Sequence, residues 1–367
     1  MVVIGGGAIG LGICWRSARE GLRVTVVDPE PGRGASWAAA GMLAPITEVH
    51  YGEEALLDLN LSSHAAYSSF VAELESDAGM SVSHRTSGTV LVARDNDDNA
   101  ALSEIFRLQQ RLGLDVRRLR SAVLRGLEPA LVSSVRGGIL VEGDHQIDNR
   151  ALVEALLEAC RRRGVTFVRA RATALSTGDG GAPSVMLDDG LKLDPDQVVI
   201  AAGAHSAEIE GIDIPVRPVK GQLLHLRSRD RTSLLERNVR GLDVYLVPRS
   251  DGRLVVGATV EEQGFDRTVT AGAVHDLLRY AYELVPGITE FELTEVSVGH
   301  RPATPDNAPL LGPTAAPGVH LATGHYRNGI LLLPVTALSM ARLLSTGEVT
   351  DEIAPFSPER FFPAAVP

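Results

Sequence analysis

The sequence predicts an α/β protein in which a doubly wound, dinucleotide-binding domain is interrupted by a second, mainly antiparallel β-sheet domain that binds substrate. Three observations predict it. Gly5, Gly7 and Gly10 have the spacing of a dinucleotide-binding turn, and an acid, Asp28, closes the strand that follows. Two later inserts read as runs of antiparallel strands instead of further βαβ units. At 367 residues the chain is long for one compact domain, and roughly 150 residues per domain leads one to expect two.

Met1 to Ile4 is a short apolar run, as expected of a strand buried in a parallel sheet. Gly5 allows the tight turn, Gly7 lets the backbone approach a pyrophosphate, and Gly10 lets the next helix lie close to the sheet. That helix runs to about Glu20 and stops at Gly21. Its first amide groups carry a partial positive charge towards the phosphates. RVTVVD is the second strand, and Asp28 stands about eighteen residues beyond Gly10, where a ribose-binding carboxylate is expected. A 2′-phosphate would meet that acid as a second anion, which disfavours NADP and leaves NAD and FAD. PEPGRGAS is a loop by composition, and in WAAAGMLAP the small side chains of Ala38 to Gly41 would let the backbone lie against a large flat group.

The nucleotide-binding domain is expected in three pieces, 1–75, 145–217 and 297–367. Its second piece opens with a helix whose Leu152, Leu156, Ala159 and Cys160 share a face and which Gly164 ends. VTFVRA and QVVIAAGAHS follow as strands; HLATG supplies another, and a helix is expected from about Asn328. Segments 76–144 and 218–296 are assigned to the substrate domain. They hold GTVLVARD, the helical EIFRLQQRLG, the strand VKGQLLHLR, and a hairpin in DVYLVPRSDGRLVVGAT turning at Ser250-Asp251-Gly252.

A formal charge of −11 disfavours nucleic acid, and it requires locally placed cations to capture an anionic substrate. Cys14 and Cys160 are too few for a disulfide framework and suit a reducing, cytoplasmic setting. Without HExxH or CxxC no metal site is expected. The apolar opening lacks a basic leader, and ILLLPVTALSM is broken by Pro334, so neither a signal peptide nor a membrane span is expected.

Two stretches carry the candidate chemistry. In GHRPATPD, Pro302 restricts Arg301 to extended backbone, and a guanidinium there can take a carboxylate through two parallel hydrogen bonds. In HYRNGILLL a polar turn at Asn328 and Gly329 leads into an apolar helix. A helix N-terminus there would stabilise the negative charge of a reduced flavin near N1, which favours FAD over a nicotinamide.

GGGAIG with Asp28, SWAAAGMLAP, VYLVPR with GRLVVGAT, GHRPATPD and GHYRNGILLLP together resemble the glycine oxidases of thiamine biosynthesis, within the D-amino-acid oxidase and sarcosine oxidase superfamily. The resemblance runs nearly end to end. It implies an FAD-binding, Rossmann-like (GR2-type) domain, with flavin contacts at Ala8, Ile9, Asp28, Pro29, Ala35, Ser36, Ala40, Gly41 and Met42. It sets His325, Tyr326, Arg327, Asn328, Gly329, Ile330 and Leu331 against the isoalloxazine, and Ala172 near the adenine through its backbone. Arg301 would clamp the substrate carboxylate, the Tyr245 hydroxyl would add a hydrogen bond, and Arg327 would meet the amine, through its carbonyl more than its cation. FAD is expected without a covalent link, because neither cysteine lies near the C-terminal loops. The implied reaction oxidises glycine, sarcosine or a small D-amino acid with O2, releasing H2O2, with thiazole synthase as a recipient of the imine. Relatives are often tetramers, so a homo-oligomer is expected. Val260 stands where the pattern has methionine, and Asp28 where many relatives have glutamate. A related dehydrogenase with another electron acceptor, or a non-catalytic flavoprotein subunit, is the alternative.

Overall fold

The computed structural model describes residues 1–177 and 181–361. Its first layer is a six-stranded sheet in the spatial order Leu310–Pro313, Val319–Thr323, Val198–Ile200, Val2–Ile4, Thr25–Val27 and Thr166–Val168. All pairings are parallel except that of the first two. Val2–Ile4 lies at the centre, buried on both sides, so it needs no polar alternation.

The helices Ala8–Arg19, Glu54–Ala78, Asn149–Arg162 and Leu333–Thr346 share one core, built around Trp15, Tyr67, Phe70, Leu152 and Met340. Gly12 permits a close contact between the first and last of these helices: a Cβ there would lie 2.4 Å from Leu333 Cδ1. The Asn149–Arg162 helix is capped by Asp148, whose carboxylate accepts from the amides of Arg150 and Ala151. Leu152, Leu156, Ala159 and Cys160 are fully buried, and Gly164 leaves the helix at φ +77°. A small three-stranded sheet, Ala172–Thr177, Pro183–Leu187 and Lys192–Leu193, packs under Val2, Ile4, Val198 and Ile200; the sequence reading did not foresee it.

The second layer is an eight-stranded sheet, ordered Glu292–Ala303, Arg217–Arg227, Arg253–Gly257, Tyr245–Pro248, Asn238–Arg240, Thr89–Ala93, Gly137–Val141 and Arg117–Arg120. Both inserts contribute to it, but their seam differs from the expectation. Asn238–Arg240 runs parallel to Thr89–Ala93, while the remaining neighbours are antiparallel.

Glu292–Ala303 passes unbroken through position 296/297, where the sequence reading divides the chain. The extended backbone expected at Arg301 is borne out as part of this strand. On an edge strand Pro302 can sit opposite Pro218 without costing a ladder bond, so Arg301 belongs to the sheet. The last helix also differs. It begins at Leu333 instead of Asn328, after a 3-10 turn at Tyr326–Asn328. A helix starting at Asn328 would carry Pro334 in its second turn, where the missing N–H and the ring are not tolerated; at the observed start Pro334 falls in the first turn.

Candidate functional site

A cavity of about 590 Å³ opens between the two layers. It runs from the glycine turn, past segments 35–42 and 325–331, to Tyr245 and Arg301. Domain junctions of this kind favour ligand sites.

At the nucleotide end, backbone packing dictates the glycines. Gly5 has φ +107°, and a Cβ on it would lie 2.4 Å from the Ala201 carbonyl oxygen. A Cβ on Gly10 would lie 1.9 Å from the Gly5 carbonyl oxygen, so the helix can approach the turn only because position 10 is bare. Gly7 meets nothing closer than Ser36 Oγ at 3.4 Å and faces the cavity. The Ala8 amide donates to Ser36 Oγ (3.0 Å), while first-turn amides such as Ile9 have no acceptor within the helix. Asp28 is fastened beneath the turn: Oδ2 accepts from the Gly6 amide (2.6 Å) and Oδ1 from the Glu30 amide (2.8 Å). It remains part of the cavity wall.

The 35–42 wall is held from behind by two residues that the sequence reading did not single out. Arg249, only 4% exposed, donates to the carbonyl oxygen of Ala40 (2.7 Å), to Gln146 Oε1 (2.6 Å) and to Asn149 Oδ1 (3.3 Å). Burial lowers its pKa to about 10. Asn149 Nδ2 donates to the carbonyls of Ser36 and Trp37. Gly41, at φ +74°, is pressed so close to the Ile147 carbonyl that a Cβ would fall 2.1 Å from it.

At the far end, Arg301 Nη1 donates to the backbone carbonyls of Thr259 (3.0 Å) and Lys220 (3.4 Å). Its guanidinium lies over Gly221, and the Tyr245 ring lies over Gly257. Burial raises the Tyr245 pKa, so the phenol stays protonated and able to donate. Arg327 is committed elsewhere: Nε faces Glu48 (3.1 Å) and Nη2 faces Glu53 (2.7 Å), while Arg240 pairs with the other oxygen of Glu48. Burial alone would raise the Glu48 pKa, but the two arginines outweigh it and hold the carboxyl below its ordinary value. Among the described residues, then, Arg301 is the partly buried arginine in this wall that has no acidic partner; Arg33 and Arg267 are exposed.

The predicted residues are thus largely gathered into one wall. Gly5, Gly7, Ala8, Ile9, Asp28, Ala35, Ser36, Ala40, Gly41, Met42, Tyr245, Arg301 and all of 325–331 line it. Gly10 stands just behind it, Pro29 is exposed outside, and Ala172 is buried in the small three-stranded sheet, away from the lining. His325 is 3% exposed and faces Thr336 Oγ1; burial lowers its pKa to about 3, so it is neutral. Val260 lines the cavity with Tyr245 and Arg301 and is 66% exposed.

A bare glycine turn beside a helix N-terminus, an acid beneath it, and a wall of small residues pinned from behind fit a dinucleotide with a flat ring system. Residues 1–343 match the family described as DAO, FAD dependent oxidoreductase. The chain belongs to this family. FAD is therefore the dinucleotide, and Gly5, Gly7, Asp28 and residues of the 35–42 segment line the cavity whose geometry fits it.

Over 374 residues the chain is 35% identical to the bifunctional protein ThiO/ThiG of Synechocystis sp., covering 100% of this chain and 55% of that protein. The chain thus spans about half the length of that relative. Glycine oxidase of Geobacillus kaustophilus is 33% identical over 364 residues, with 97% and 96% of the two chains covered. The crystal structure of that organism's glycine oxidase superposes with a TM-score of 0.90 at 32% identity over 97% of both chains. Hydrogen cyanide synthase subunit HcnC of Pseudomonas aeruginosa is 30% identical over 403 residues, covering 99% and 96%. Among the described residues, no helix is long and apolar enough to cross a membrane.

Proposed function

We propose that the protein oxidises glycine, and with it sarcosine or small D-amino acids, to the imino acid. Water then converts the glycine product to glyoxylate and ammonia: glycine, O2 and H2O give glyoxylate, NH3 and H2O2. The observation that carries this reading is Arg301, a cation in the wall of a cavity without an acid to neutralise it. An uncompensated guanidinium in such a place is matched by a ligand carboxylate, which could not itself enter without one.

FAD, when bound, supplies the acceptor for the hydride lost from the substrate Cα, and O2 reoxidises it. The side chains bind and orient. Arg301 holds the carboxylate, and the protonated Tyr245 donates to it. The Arg327 carbonyl is left to face the amine, because its guanidinium is engaged by Glu48 and Glu53. Glu48 is itself clasped by two arginines and His325 is buried, so neither serves as a free base. A neutral amine can lose hydride without one, and orientation then supplies much of the acceleration.

The fused name of the Synechocystis relative supports delivery of the imine to a thiazole synthase. A second reading, a flavoprotein subunit serving a partner, draws on the likeness to a protein named as a hydrogen cyanide synthase subunit. Anaerobic addition of glycine, sarcosine and D-alanine to the FAD-loaded protein separates the two. Bleaching of the flavin, followed by peroxide in step with substrate once air is admitted, is expected. Bleaching without peroxide would replace the oxidase with a dehydrogenase, and no bleaching by any of the three would overturn the reading.

A further inference from the structure

Gly221 lies inside the Arg217–Arg227 strand, where a glycine weakens the strand and marks a close approach. Its cross-strand neighbour is Gly299, and the next pair on the same face is Val219 with Arg301. Arg301 therefore leans along the sheet over the bare Cα of residue 221. A Cβ there would lie 2.5 Å from Arg301 Nη1 and 2.7 Å from both Cζ and Nη2. The three nearest atoms are all in that one guanidinium, and none is backbone. This differs from Gly138, where a Cβ would strike the Leu91 carbonyl at 2.2 Å. The nearest obstacle to a methyl group at position 221 is thus the flexible Arg301 side chain and not the fold's backbone. The relation recurs one strand over, where a Cβ on Gly257 would lie 2.6 Å from the ring of Tyr245.

We propose that Gly221 is a positioning residue for substrate binding: its bare Cα is the seat on which the Arg301 guanidinium lies, and it fixes where the substrate carboxylate is held. This rests on the assignment of Arg301 as the carboxylate ligand. Lys220 and Thr259 tether one nitrogen of the guanidinium through their carbonyls, while Gly221 sets the height of the whole group above the sheet.

The test is a double-mutant cycle on the FAD-loaded enzyme, with Gly221→Ala, Arg301→Ala and both together. Gly221→Ala should fold, keep FAD, and raise KM for glycine roughly 10- to 100-fold with a much smaller change in kcat. Acetate, a carboxylate without an amine, should lose affinity in parallel. In the Arg301→Ala background the same change should alter kcat/KM by less than about twofold, and its thermal penalty should vanish. Equal losses in both backgrounds, or a crystal structure of Gly221→Ala with Arg301 unmoved, would overturn the proposal. Should Gly221→Ala fail to fold, the double variant should regain folding, because the guanidinium that obstructs the methyl is gone; if it does not, the seat is refuted. If Arg301→Ala alone leaves glycine kinetics unchanged, the carboxylate assignment fails instead, and the thermal cycle still judges the packing claim.

Discussion

Replacing Arg249 by Met tests whether the 35–42 wall of the cavity is held from behind. The substitution keeps an apolar stem of similar reach but removes two short hydrogen bonds, to Ala40 and Gln146, and a longer one to Asn149. Leaving a buried acceptor unpaired costs about 1–3 kcal/mol, so the two short bonds together place about 2–6 kcal/mol at stake. Relief of the desolvation borne by a buried cation offsets part of this. A net loss of about 3 kcal/mol is expected. With an unfolding entropy of about 2.1 cal/mol/K per residue over 367 residues, that lowers Tm by about 4 °C. The informative assay is thermal unfolding with and without added FAD. Because Ala40 and Gly41 line the cavity, the variant should also gain less from saturating FAD than the parent does, reflecting a weaker Kd. A variant that loses the 4 °C but keeps the whole FAD-dependent increment would show that Arg249 serves the core alone, and the argument for a pinned wall would fall.

Arg301→Ala should depress kcat/KM for glycine roughly 100-fold, the loss of about 3 kcal/mol of charge-assisted binding, chiefly through KM in steady-state kinetics. Tyr245→Phe should be milder, roughly two- to twelvefold, since one neutral hydrogen bond is worth about 0.5–1.5 kcal/mol. Stability should fall in acid through His325. Its pKa is depressed by burial to about 3, so the unfolded chain binds the extra proton, and the stability this group contributes is present above pH 6.5 and lost as pH falls towards 3. At pH 5 the loss is up to about 2 kcal/mol at 1.36 kcal/mol per pH unit, and a His325→Gln variant should show a flatter denaturation profile between pH 5 and 7.

The features legible in the sequence are those fixed by local backbone geometry. A turn that must pass beneath a helix needs glycine at 5 and 10 in any fold that uses it, and the clash distances at these positions show why. What escaped is what tertiary contact alone decides. Arg249 meets Ala40 across 209 residues of chain, and Arg240 meets Glu48 across 192. Nothing near either arginine marks its partner. Gly221 and Gly257 lie in the strand segments VKGQ and VVGAT, but nothing local marks what sits over them, because those side chains, Arg301 and Tyr245, come from other strands. The parallel seam at Asn238–Arg240 was hidden for a related reason: alternation along a strand shows which face is buried but not the direction of its neighbour. Pro334, by contrast, carried enough local information to place the start of the last helix correctly.

The central position of Val2–Ile4 has a bearing on biogenesis. One flank of this strand can be satisfied as soon as Thr25–Val27 emerges, but the other waits for Val198–Ile200, and the 325–331 rim arrives later still. A nascent chain on the ribosome therefore carries an apolar ribbon with an unsatisfied edge until Val198–Ile200 has been made, a period in which chaperone shielding matters. The cavity wall is complete only once residues 325–331 have left the exit tunnel, so chains halted before that point should not retain the yellow prosthetic group.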